Sequence, residues 1–195
     1  MKVNWQRFEP DDLIPVSSYL KNRKLRKYFN RETAAGIIAL GELLNGIQLP
    51  ANTPFYYATG LVEFEEYGLP KIVSASLDDN GHFSDRLFVE RSIPRISPLT
   101  SFKVLQNMTL AFLSIEHELT GDNAVVYVSA SSLLQYMLTA PTEGDILIGA
   151  GKVFRDGRTE SGFALLTKEE AIQTPFLNSN DKAIDIFRQW ALEKV

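Results

Sequence analysis

The sequence predicts an α/β domain, a mixed and mostly parallel sheet of about five strands flanked by helices. Three stretches carry that expectation. Asp122 to Gly151 reads as strand, tight turn, helix and strand, a β-α-β unit with its turn where enzymes often mount a nucleophile. Thr33 to Leu44 is rich in Ala, Ile and Leu around nearly its whole circumference, the pattern of a helix sandwiched between layers. Asn180 to Lys194 is a terminal helix with Ala183, Ile184, Phe187, Trp190 and Ala191 on one face.

The remaining elements follow in order. Met1 to Pro10 alternates loosely through Val3, Trp5 and Phe8, a short strand or an arm, and Lys21 to Arg31 is a basic approach to the first helix. Asn45-Gly46 ends that helix, Pro54 to Ala58 reads as a strand, and Gly60 turns the chain. Lys71 to Leu77 fits a strand or a crossing loop, and Asp78 to Gly81 has turn chemistry. Leu105, Met108, Phe112, Ile115 and Leu119 mark one face of a helix that begins near Ser101 or at Asn107 and closes at Gly121. Ala124 to Val128 is a short apolar strand, Ser129 to Ser132 suits a helix N-terminus, and Leu133 to Leu138 is helical until Pro141 and Gly144. Asp145 to Ile148 is the next strand. Gly162 to Leu166 is the last, able to pair antiparallel with Lys152-Val153 across the turn at Arg155 to Gly157.

Composition narrows the function classes. A chain of 195 residues, read as one domain over 1–195, is 45% hydrophobic and 23% charged with a net charge of −4. It lacks the basic excess of a nucleic-acid footprint. Without cysteine it can form no disulfide, thiolate metal site or cysteine nucleophile, which fits a reducing compartment. Its apolar runs are too short for a bilayer span and no signal peptide is evident, so a soluble cytoplasmic protein is expected. On that expectation the sequon Asn107-Met-Thr109 is a chance match.

Motifs for catalysis fail one by one. Gly149-Ala-Gly-Lys152 lacks the first glycine and the following Ser or Thr of a phosphate loop. Ser129, Ser131 and Ser132 have no flanking glycines of a serine nucleophile elbow. His82 and His117 stand alone, the latter reading as a surface residue, and the acidic loop Glu63, Glu65 and Glu66 has no spaced ligand partners, so no metal or cofactor is expected. From the residues alone, catalysis is not supported.

Several segments in sequence order nonetheless resemble the N-terminal half of a β-ketoacyl synthase of the thiolase superfamily. They are Leu25-Arg26 through Leu44, Pro54 to Gly60, Ser97-Pro98 with Phe102 and Asn107, Leu119-Thr-Gly121, Val125 to Ser132, Gly144-Asp145 to Gly151, and Gly162 to Ala171. The resemblance implies a single thiolase-like half in which the catalytic cysteine is replaced. The family's nucleophile position falls on Ala130, or on Ser129 if the register slips by one, so the elbow Ser129, Ala130 and Ser131 is degenerate. The family's two catalytic histidines belong to a C-terminal half beyond the end of this chain.

The same resemblance implies that Ala124, Val125, Val126, Tyr127 and Val128 form an edge strand that pairs across a dimer. It makes Phe102, Asn107, Met108 and Phe112 candidates to line an acyl tunnel. The role implied is a non-catalytic, chain-length-factor-like subunit paired with an active β-ketoacyl synthase in polyketide or specialised fatty-acid synthesis. The alternative is a homodimer that binds an acyl chain or an acyl carrier protein. Arg23, Lys24, Arg26 and Lys27 are the residues expected to dock an acidic carrier protein. A third reading keeps Ser129 or Ser131 as the nucleophile of another enzyme type. The terminal helix is the expected cover for the layer that a second half would otherwise bury.

Overall fold

A computed structural model describes residues 1–60, 69–96, 101–127 and 129–193 of the chain. The loop carboxylates Glu63, Glu65 and Glu66, the Ser97-Pro98 lead, Val128 and Lys194 lie outside these residues.

In chain order the elements are β1 (Lys2–Phe8), α1 (Arg31–Leu43), β2 (Phe55–Thr59), α2 (Leu69–Ala75), α3 (Asp85–Leu87), α4 (Ser101–Val104), α5 (Met108–His117), β3 (Asn123–Tyr127), α6 (Ala130–Leu138), β4 (Ile146–Val153), β5 (Thr159–Leu166), α7 (Lys168–Ile172) and α8 (Ala183–Leu192). The five strands form one mixed sheet in the order β1-β5-β4-β2-β3. Its ladders divide evenly: β4, β2 and β3 run parallel, while β5 pairs antiparallel with both β4 and β1. The antiparallel share exceeds expectation because the β4–β5 connection is a tight turn, with Phe154 N–H bonded to Arg158 O and Gly157 at φ 84°. So short a link can only make a hairpin.

Helices cover both faces of the sheet. On one side α1 is capped by Asn30, whose side chain accepts from Thr33 N–H at 2.7 Å. Ile37, Leu40 and Leu43 of α1 pack with Leu110, Phe112 and Leu113 of α5 over Phe55, Tyr57, Leu147 and Phe163 of the sheet. On the other side Leu133, Leu134 and Met137 of α6 share a core with Ile184, Phe187 and Trp190 of α8 over Tyr56, Ile146, Ile148 and Ala164. The terminal helix thus closes the sheet face that carries the elbow helix.

Gly162 permits this approach, since a Cβ there would collide with Phe187. Charge fixes it further. Glu160, fully buried on β5, accepts from Trp5 Nε1 at 3.3 Å and from Arg188 of α8 at 3.0 and 2.6 Å. Arg188 also pairs with Asp185 at 2.9 Å.

Two segments differ from the sequence expectation. Lys71 to Leu77 is mainly the helix α2; Pro70 sits in its first turn, where a missing N–H does no harm, and the Ser76 hydroxyl donates to Ile72 O at 2.8 Å. The helix expected from Ser101 or Asn107 to Gly121 is broken. α4 and α5 are separate, Asn107 makes no side-chain cap, and α5 ends where Glu118 turns left-handed at φ 57°. Its buried face also lies elsewhere: Thr109, Leu110, Phe112, Leu113 and Glu116 point inward, while Ile115 is exposed.

Candidate functional site

The elbow is where the sequence places it. β3 ends at Tyr127 and α6 begins at Ala130, with Ser129 as its N-cap in extended conformation. The Ser129 hydroxyl accepts from Ser132 N–H at 3.1 Å and donates to the Ser132 hydroxyl at 2.6 Å. Ser131 Oγ donates to Leu177 O at 2.8 Å and accepts from Gln135 at 2.9 Å. Ala130 is fully buried, and its amide donates to Asp181 O at 2.8 Å. Ser129 in turn forms a bridge with Lys182.

The strand-like segment ahead of α8 therefore lies over the elbow and takes the backbone donor at its centre. Among the described residues no histidine or carboxylate hydrogen-bonds Ser129 or Ser131, so neither serine has the base that a nucleophile requires.

Among the described residues, β3 lies at the sheet edge and pairs only with β2. Asn123 and Tyr127 are exposed and Ala124, Val125 and Val126 half-buried, so the strand is less buried than its apolar run suggests. Its described residues carry no charge or proline, the usual guards of a free edge.

The four tunnel candidates do not gather at the elbow. Phe112 is buried in the core on the opposite side of the sheet, where it stacks with Tyr28 at 6.3 Å and meets Phe29 at 5.0 Å. Phe102 meets Tyr28 edge-on at 5.3 Å; Asn107 is exposed and Met108 half-buried. Arg23, Lys24, Arg26 and Lys27 come together on an exposed 3₁₀ turn from Arg23 to Tyr28. Arg26 reaches Ser17 and Lys27 sits 4.9 Å over the Tyr28 ring.

Sequence reasoning missed two features. The first is a buried polar cage. Glu32 of α1 is 6% exposed, and its Oε1 accepts from Tyr57 Oη at 2.9 Å and Thr59 Oγ1 at 3.1 Å. Burial pushes its carboxyl up to about 7, against the smaller opposing effect of these two hydrogen bonds, and raises the Tyr57 hydroxyl as well. Gly151 makes the room, because a Cβ there would overlap Tyr57 Oη and Glu32. A signal was present: Glu32 shares a helical face with the small residues Ala35, Gly36 and Ala39, three, four and seven positions on, all buried.

The second is His117, expected on the surface. Its Nε2 is buried without a hydrogen-bond partner among the described residues, and burial, helped by the Lys21 charge, lowers the imidazole to about 4.

A cleft of about 620 Å³ opens at the carboxyl ends of β2 and β4, the end of the parallel strands at which the elbow also lies. Thr59 and Gly60, Gly151 to Asp156, and Lys182 at the start of α8 line it.

No family model matches the sequence, and no curated protein matches it. Among solved structures, the chain is similar to "The ishigamide ketosynthase/chain length factor", with a TM-score of 0.58 and 14% sequence identity over 90% of this chain. The match covers 64% of that chain. At this identity the likeness is one of fold. The chain has a ketosynthase- and chain-length-factor-like fold, its five-stranded mixed sheet and flanking helices consistent with a single thiolase-like half.

Proposed function

We propose that residues 1–195 form one half-thiolase domain acting as a non-catalytic, chain-length-factor-like subunit. It pairs with an active β-ketoacyl synthase in polyketide or specialised fatty-acid synthesis in the cytoplasm. The observation that carries this reading is the elbow. The resemblance puts the nucleophile position at Ala130, which is fully buried with its amide bound to Asp181 O, or at Ser129 if the register slips by one, in a chain without cysteine. The uncharged edge β3 supplies the surface for pairing, since a partner strand would satisfy its outward N–H and C=O groups.

Co-expression with a β-ketoacyl synthase, followed by size-exclusion chromatography, tests the pairing; a stable one-to-one complex is the expected result. The isolated chain is expected to transfer or hydrolyse no acyl thioester. A measurable rate abolished by Ser129→Ala or Ser131→Ala would instead establish a serine enzyme.

A second reading rests on the exposed turn carrying Arg23, Lys24, Arg26 and Lys27, whose charge suits an acidic acyl carrier protein docking on a homodimer. A stable homodimer that ignores the synthase and binds carrier protein, with binding lost in K24E/K27E, favours it.

A further inference from the structure

The cleft at the carboxyl ends of β2 and β4 has a character that pairing does not use. In a chain with net charge −4, the described residues of its wall include the cations Lys152, Arg155 and Lys182 and the carboxylate Asp156. Arg155 and Lys182 are exposed at its rim and make no ion pair among the described residues. Below them the wall is apolar, with Ala58, Val153, Phe154 and Ile184. Lys152 Nζ lies 4.9 Å and the Arg158 guanidinium 4.1 Å from the centre of the Phe154 ring.

Gly60 and Gly151 line the wall without side chains, Gly60 N–H donating to Gly151 O, and α8, ten residues long, starts in the wall with Asp185 in its first turn accepting from Lys182 N–H. The volume lies within the range of small-molecule sites, and open parallel sheets bind ligands at this end. Positive potential at the mouth and apolar walls beneath it select a molecule with the same division.

We propose that this cleft binds a small anionic amphiphile, a compound with one carboxylate or phosphate head and a short unbranched apolar body. The head would lie between Arg155 and Lys182, and the body against Phe154, Val153 and Ile184. The proposal does not rest on the pairing reading, since every residue it uses belongs to this chain and none is on β3.

The test is saturation-transfer NMR and calorimetric titration of the intact protein with octanoate, octyl phosphate and octanol as probes. Both anions are expected to bind, with octanol at least tenfold weaker; the tighter anion identifies the head group. R155A/K182A is expected to weaken the anions at least tenfold while leaving octanol unchanged, and K24A/K27A, in the other basic cluster, to change nothing. An unaltered thermal midpoint for R155A/K182A shows that the fold is intact, as the exposure of both side chains leads one to expect. Equal binding of octanol and the anions, absence of anion binding, or undiminished anion binding by R155A/K182A would each overturn the proposal. A failed synthase complex would leave this result untouched.

Discussion

Glu32 and His117 are two titratable groups held against their ordinary charge states, and their effects on stability run in opposite directions. Glu32 titrates near 4.5 when unfolded and about 7 when folded, so the folded chain binds the extra proton between those values. Stability contributed by Glu32 is full below pH 4.5 and falls as the pH rises to about 7, by on the order of 3 kcal/mol. His117 is lowered from 6.5 to about 4, so here the unfolded chain binds the extra proton. Its contribution is present above pH 6.5 and is lost as the pH falls toward 4. The two slopes overlap and partly cancel in the native protein. E32Q is expected to be more stable than the native chain at pH 8 and similar to it at pH 5, so its denaturation midpoint rises with pH. H117Q should show the reverse slope. Identical pH profiles for the native protein and E32Q would refute the burial-driven shift.

At the scale of elements, α8 is held to the sheet by packing and by one buried charge. Arg188→Ala removes the guanidinium that meets Glu160 and leaves a fully buried carboxylate with the longer Arg158 pair at 3.7 Å. Arg188 is itself a third exposed, so the expected loss is roughly 2–4 kcal/mol in chemical denaturation, partly recovered in E160Q/R188M. Elements with a strong period and clear punctuation were legible in the sequence: α1 with its terminal Gly46, the β3–α6 turn, the β4–β5 hairpin and α8. α2 was not, because Ile72 and Val73 read as strand residues while the features that make the segment helical, Pro70 in the first turn and the Ser76 back-bond, are local details. α5 was misoriented because Leu110, Phe112, Leu113 and Ile115 crowd more than one face, so spacing alone cannot say which faces the sheet. The Glu32 cage escaped for a related reason. It is built from α1 and β2, and nothing near Glu32 in sequence announces Tyr57 or Thr59.

For the molecule as a whole, the covered faces and the open sheet edges set where a further strand could add. Both faces are covered, by α1 and α5 on one side and α6 and α8 on the other, which leaves the two edges: β1 carries the charges Lys2 and Arg7, whereas the described residues of β3 carry none. Tyr127→Lys puts a charge on that edge at a position 59% exposed, so the core is unaffected. Y127K is expected to weaken complex formation at least tenfold in analytical ultracentrifugation, with an unchanged melting temperature for the isolated chain. Undiminished association would place the interface elsewhere. The far edge has a different consequence. Among the described residues, residues 2–8 find their sheet neighbour only in residues 159–165, far along the chain. During synthesis at about 5–20 residues per second, β1 waits on the order of ten seconds or more for its mate. β1 is therefore among the last of the described strands to be secured.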